Sequence, residues 1–279
     1  MGVLGWPGGR NVRDLGGRAL RTGGRTPYGR VFRSAAPEYL TDDGWTAAKA
    51  AGVRTVVDLR NAPAETQRTA DHPVVRPASW DGMTFVPAPT EDPDDDEFLR
   101  LCGPWLDHPC SWADNARLAR DRIATVLKVI ARAEGAVLVH CAGGRDRTGM
   151  ISAMLLHIAG ATDEAIIEDY SAGWRGAGAY AGHGWVYDVD QDSWRRCRQG
   201  PTDPQELERQ IADRVPALRE WIATFDSAHL VEAGDLHALR SRLHPEFTAG
   251  SRYLPQCSVD TSRESSPRSM VNSALRRKR

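Results

Sequence analysis

The stretch A-V-L-V-H-C-A-G-G-R-D-R-T-G, residues 136–149, constrains this chain more than any other. Residues 136–139 are small or branched and apolar, the pattern of a short buried strand. Residues 147–159, R-T-G-M-I-S-A-M-L-L-H-I-A, have helical length and stop at Gly160. Only a tight, glycine-bearing turn joins them. The pattern recurs elsewhere. Thr41-Asp42-Asp43 caps a helix that Gly52 stops, and the β-branched run 53–59 follows as a buried strand. Short strands are expected at 31–33 and 83–86, and helices at 64–70, from Ser111 or Asp114 to about Ala133, and at 163–170 after Thr162. Strands alternating with helices predict an α/β fold with a central, largely parallel sheet flanked by helices.

In such a fold a strand-to-helix turn lies at the carboxyl edge of the sheet, where ligands bind. Gly143 and Gly144 let backbone N–H groups converge on one point, and the helix beginning near Arg147 adds the positive end of its dipole. The turn is therefore expected to hold a phosphate dianion, through Ala142, Gly143, Gly144, Arg145, Asp146 and Arg147. Cys141 opens the turn, and the groups that hold an anion also favour a thiolate. Arg147 has the planar fork that binds two phosphoryl oxygens at once. Thr148 can offer its hydroxyl to the sulfur, and His140 can orient the turn. Together they suggest attack of a thiolate on phosphorus followed by hydrolysis of a phosphocysteine, with no cofactor and no metal.

Bulk properties exclude other classes. Of 279 residues, 41% are apolar and 26% charged, the composition of a globular protein, and the net charge of −1 gives no overall attraction to nucleic acid or an anionic membrane. No apolar run reaches the ~20 residues of a membrane span, and no secretory signal is expected at the N-terminus. The five cysteines are scattered without a C-x-x-C pair, which argues against a disulfide framework or a structural zinc site and for a reducing, cytoplasmic setting. Cys102, Cys110, Cys197 and Cys257 receive no role.

The turn H-C-A-G-G-R-D-R-T-G, a C-x5-R followed by T-G, resembles the signature loop of the protein tyrosine phosphatase superfamily, and in particular its bacterial, dual-specificity-like branch. N-V-R-D-L-G-G (11–17), V-F-R-S (31–34), V-V-D-L-R-N…E (56–65) and I-I-E-D-Y (166–170) resemble that branch's further motifs, in order, over about residues 8–172. The resemblance implies a dual-specificity-phosphatase-like fold with an extra C-terminal helical region. It implies a phosphatase of phosphotyrosine or dual-specificity type, with Cys141 as nucleophile and Arg147 as phosphate clamp. Arg145 replaces the lysine usual in the branch, which leaves the substrate range open among phosphotyrosine, phosphoserine and phosphoinositide.

The general acid stays open among Asp146, which matches the family's loop aspartate, Asp92, Glu91 and Asp58. Asn11, Arg13 and Asp14 are expected to form a hydrogen-bond network under the site, and Asp58 and Arg60 to act similarly. Trp174 and Trp185 flank a Gly-rich segment, 173–184, read as a loop able to line a pocket. The acidic stretch 91–97 reads as a solvated loop. Residues 1–247 are expected to form the catalytic domain, with 173–245 a possible helical lid and 248–279 a disordered tail. The partner is a phosphorylated protein or a small phosphoester. The competing functions are a phosphatase of a small phosphorylated metabolite or phosphoinositide, and a catalytically silent phosphate-binding module. Sequence does not fix the oligomeric state.

Overall fold

Strands β1 (Arg13–Asp14), β2 (Val31–Ser34), β3 (Val53–Asp58), β4 (Thr84–Pro87) and β5 (Ala136–His140) form one sheet in the order β1-β2-β5-β3-β4. The computed structural model describes residues 4–61, 64–180, 182–188, 190–191 and 193–245. These belong to one compact unit, Met1–Ala249; the other unit, Gly250–Arg279, lies outside the described residues, as does the whole of the tail expected over 248–279. Four strands run parallel and β1 pairs antiparallel at the edge. β5 is central and buried along its whole length. Its register places Ser34 on one side of His140 and Asp58 on the other, so three strand ends meet where the turn begins.

The helices are α1 (Asp42–Ala50), α2 (Asp96–Cys102), α3 (Trp112–Leu118), α4 (Arg120–Arg132), α5 (Asp146–Ile158), α6 (Asp163–Gly178), α7 (Pro204–Thr224) and α8 (Ala233–Leu243), with a hairpin of β6 (Gly182–Asp188) and β7 (Ser193–Gln199) between α6 and α7. Strand alternation sends Val57, Val137 and Val139 into one core and Phe32, Val56 and Leu138 into the other. The first core is shared with α4 to α8, and the second with Trp45 of α1. Ile123, Val126, Leu127 and Ile130 make the buried stripe of α4, each worth about 2 kcal/mol when fully covered. Thr41 and Thr162 cap α1 and α6 as expected, accepting from Gly44 N and Ala165 N at 3.2 Å.

Three expectations are corrected. The helix expected over 64–70 is a single 3-10 turn, Ala64–Thr66. The long helix expected to end near Ala133 is two, broken at Ala119, whose ψ of 31° leaves the helical range. Trp112 must reach Tyr170 and Trp221, at ring distances of 5.6 and 5.2 Å, while α4 lies on the sheet; nothing in the local sequence signals that demand. The Gly-rich loop expected over 173–184 is instead the end of α6 followed by β6. The region 173–245 therefore carries a hairpin as well as helices.

Candidate anion-binding site

The turn from Cys141 to Asp146 presents donors upward and ties its acceptors down. Ala142 O accepts from Ala36 N at 3.0 Å. Gly143 O and Gly144 O each accept from Asn11 Nδ2 at 3.0 Å, and Gly144 O also from Arg33 Nη2 at 2.9 Å. Among the described residues, none of the N–H groups of Ala142, Gly143, Gly144 and Arg145 has a partner. Gly144 has φ +64°, and a Cβ there would stand 2.5 Å from the Ser34 carbonyl, so only glycine fits. α5 begins at Asp146 and adds its own unpaired N–H groups. Four free backbone donors above a helix N-terminus are an anion cradle. Cys141 lies at its base, 2% exposed.

Beneath the cradle is a buried ionic layer. Asp169 of α6 accepts from Arg18 Nη2 at 2.8 Å and from Arg33 Nη1, and lies 4.0 Å from Arg13 Nε. Burial opposes its charge, yet Arg33, Arg13 and Arg18 hold its carboxyl below the ordinary carboxylate range. Arg13 donates to Asn11 Oδ1 and to Ala172 O, and Asn11 Nδ2 also reaches Gly173 O at 3.0 Å. Asn11 is the one non-glycine residue with positive φ among the described residues, at 53°, a conformation asparagine tolerates. The expected network is thus present for Asn11 and Arg13. Asp14 stands apart from it, accepting from Gly16 N and Gly29 N at 2.8 Å in a turn of its own.

Arg147 sits in the first turn of α5 and meets two carboxylates. Its Nη2 donates to Glu65 Oε2 at 2.6 Å, and its Nη1 lies 3.4 Å from Glu91 Oε2. Burial works against the cation, but Glu91, Glu65 and Cys141 together hold its pKa well above the ordinary value. Arg145 donates Nε to both oxygens of Asp146 at 2.9 and 3.1 Å. Burial raises the Asp146 pKa, with Arg145 opposing. The Arg145 guanidinium also lies over the ring of Trp174 at 4.2 Å, and Arg214 of α7 lies at 4.2 Å from the same ring. Trp174 is therefore next to the turn, though inside α6 rather than in a loop. The side chain of Trp185 lies outside the described residues.

The remaining predicted residues support the turn from its edges. His140 Nδ1 is 3.4 Å from Cys141 O and 3.8 Å from Asp58 Oδ1, and burial pushes its pKa below the ordinary value, favouring neutral imidazole. Asp58 is clamped by Arg60, at 2.8 Å from Nε and 2.7 Å from Nη2. Burial opposes its charge, but His140, in its protonated form, and Arg60 hold its pKa low. Arg60 also binds Glu38 at 2.6 Å and reaches Glu65 O at 3.5 Å, so it braces the segment that carries Glu65. Asp92 pairs with Arg122 at 2.8 Å. Thr148 Oγ1 is buried and makes no hydrogen bond, so the expected contact with the sulfur is not formed. Sequence reasoning missed the roles of Glu65, Arg33 and Asp169. The only signals were their places in the blocks D-L-R-N…E, V-F-R-S and E-D-Y. Among the described residues, no group of His, Cys, Asp and Glu is arranged to hold a metal ion, and no helix is long and apolar enough to cross a membrane.

The model of a tyrosine phosphatase family matches residues 4–181. A tyrosine-protein phosphatase of Nostoc commune is 29% identical over 146 residues, covering 52% of this chain and 48% of that protein. A protein of Cupriavidus necator, named provisionally as a tyrosine-protein phosphatase, is 28% identical over 171 residues, covering 57% of this chain and 59% of its own length. The chain thus spans about half of the first curated relative and less than two thirds of the second. Among solved structures, P. aeruginosa TpbA is similar at 20% identity and a TM-score of 0.33, covering 71% of this chain and 90% of that one.

Proposed function

The chain belongs to the tyrosine phosphatase family, and from that premise we propose that it hydrolyses phosphomonoesters through a phosphocysteine on Cys141. The observation that carries this reading is the cradle: carbonyls of 142–144 tied down and the N–H groups of 142–145 left unpaired above Cys141. A phosphoryl group seated there replaces missing partners for four donors. Arg147 adds a buried cation whose Nη1 has no hydrogen-bond partner among the described residues. The Cys141 sulfur attacks phosphorus, the P–O bond breaks, and the ester oxygen leaves with a proton. Water then attacks phosphorus, the P–S bond breaks, and Cys141 leaves as thiolate. The fixed N–H groups and Arg147 stabilise the charge spread over the equatorial oxygens in both steps. Metal-free turnover in a reducing, cytoplasmic setting and a phosphotyrosine or dual-specificity substrate are parts of the same proposal.

Hydrolysis of p-nitrophenyl phosphate at pH 5–7 with EDTA, comparing the native chain with Cys141→Ser, tests it. Turnover that persists in EDTA and disappears in the variant is the expected result. A folded, reduced native chain that turns over neither this ester nor a phosphotyrosine peptide would instead be a phosphate-binding module.

A further inference from the structure

The reaction above needs a proton donor for the leaving oxygen, and five carboxyl groups lie near the cradle or were candidates for it. Asp58 is held by two nitrogens of Arg60 and faces His140. Asp92 is turned to Arg122, with both side chains more than a third exposed or nearly so. Both oxygens of Asp146 face Arg145 Nε. Glu65 takes the 2.6 Å charge-assisted bond to Arg147 and serves as its counter-ion. Glu91 differs from all four. No cation binds it within ordinary hydrogen-bond distance, and its partner is the side-chain amide of Asn61 at 3.3 Å. It is 5% exposed, yet 3.4 Å from the guanidinium that is to hold the phosphoryl oxygens. Two ionised carboxylates on one arginine repel, and the less tightly paired one keeps the proton.

We propose that Glu91, in the segment leading from β4 at the carboxyl edge of the sheet, is the catalytic acid that protonates the leaving oxygen; this rests on the phosphocysteine reading. Its proton passes to the ester oxygen as the P–O bond breaks, leaving a carboxylate. In the second step that carboxylate takes a proton from the attacking water, phosphate leaves as the P–S bond breaks, and the electron pair returns to Cys141. Burial, with the negative charge of Glu65 and Asp146 adding to it, raises the Glu91 pKa to about 7 against the pull of Arg147, which suits an acid and base that exchange roles near neutrality.

The test compares phenyl phosphate with p-nitrophenyl phosphate in the native chain, Glu91→Gln and Glu91→Asp. Phenol, like tyrosine, ionises near ~10 and needs a donor; nitrophenol is far more acidic and needs it less. Glu91→Gln should slow both esters, phenyl phosphate by about 100-fold or more, and widen the ratio of the two rates at least tenfold. The variant should also lose the pH-rate limb near neutrality, and Glu91→Asp should restore part of the phenyl phosphate rate. Equal slowing of both esters, or an unchanged ratio in a variant that melts like the native chain, would assign Glu91 a structural role and overturn the proposal. Loss of p-nitrophenyl phosphate turnover in the native chain itself would mark failure of the underlying phosphatase reading.

Discussion

Arg145 and Arg214 share one aromatic ring: both guanidinium carbons lie 4.2 Å from the centroid of Trp174. One arginine belongs to the anion-binding turn and the other to α7, so the helix after the hairpin is joined to the site through a buried indole. Each cation has its own carboxylate, Asp146 for Arg145 and Asp107 for Arg214 at 2.8 Å. Removing Arg214 takes away one cation–π contact to Trp174 and the ion pair to Asp107. Arg214→Ala should cost about 1 kcal/mol in urea unfolding and weaken inhibition by inorganic phosphate several-fold, because Arg145 is then less firmly placed. Unchanged phosphate inhibition would mean that α7 only covers the core.

Among the described residues, Asp169 is the one buried carboxylate paired with all of Arg13, Arg18 and Arg33. Asp169→Asn keeps the shape and takes the shared buried counter-charge from three guanidinium groups, of which Arg18 alone keeps another carboxylate, the exposed Glu168 at 3.6 Å. The expected loss is about 3–5 kcal/mol, read as a fall in the denaturation midpoint. Since its pKa is held below the ordinary value, the Asp169 contribution is complete above the unfolded pKa of ~3.9 and fades as pH falls through the lower folded value. The gap between native chain and variant should therefore close only in strong acid. A gap below about 1 kcal/mol at neutral pH would show that backbone carbonyls suffice to hold the arginines.

Glu91 acts on stability in the opposite sense. Its folded pKa, about 7, stands above the ordinary value of 4.5, so between these pH values the folded chain holds more protons than the unfolded one. Stability from this group is present at low pH and is lost as pH rises through about 7. The melting temperature of Glu91→Gln, measured against the native chain, should gain steadily from pH 5 to pH 8. A constant difference across that range would mean that Glu91 is ionised throughout.

The turn was legible in the sequence because its chemistry is local. His140 to Gly149 carry the proposed nucleophile, small residues, the proposed clamp and the helix start within one turn, and Thr41 and Thr162 announce their helices by position alone. Residues that act across the fold were legible only as fragments of motifs. Nothing near Glu65 says that it will pair with Arg147, 82 residues later, and nothing near Asp169 names its three arginines. The segment after Gly173 misled for the same reason. Glycine weakens a helix locally, by about 1 kcal/mol each relative to alanine, so a run of them reads as loop. In the fold, Gly173 and Gly176 lie one turn apart on the face of α6 that receives Arg33, Arg13 and Asn11.

Gly176 turns that explanation into a prediction. A Cβ at Gly176 would collide with Asn11 Oδ1 and stand 3.1 Å from Arg13 Nη1. Intrinsic propensity favours Gly176→Ala by about 1 kcal/mol. Overpacking against the Asn11–Arg13 pair opposes it by about 1–3 kcal/mol. Displacing Asn11 also frees the carbonyl of Gly143 and leaves that of Gly144 to Arg33 alone, so the turn can swing and aim its N–H groups away from an anion. Gly176→Ala should accordingly be no more stable than the native chain and should bind vanadate about tenfold more weakly. A variant that is stabilised and binds vanadate as before would show that α6 and the Asn11 layer are not in register with the cradle.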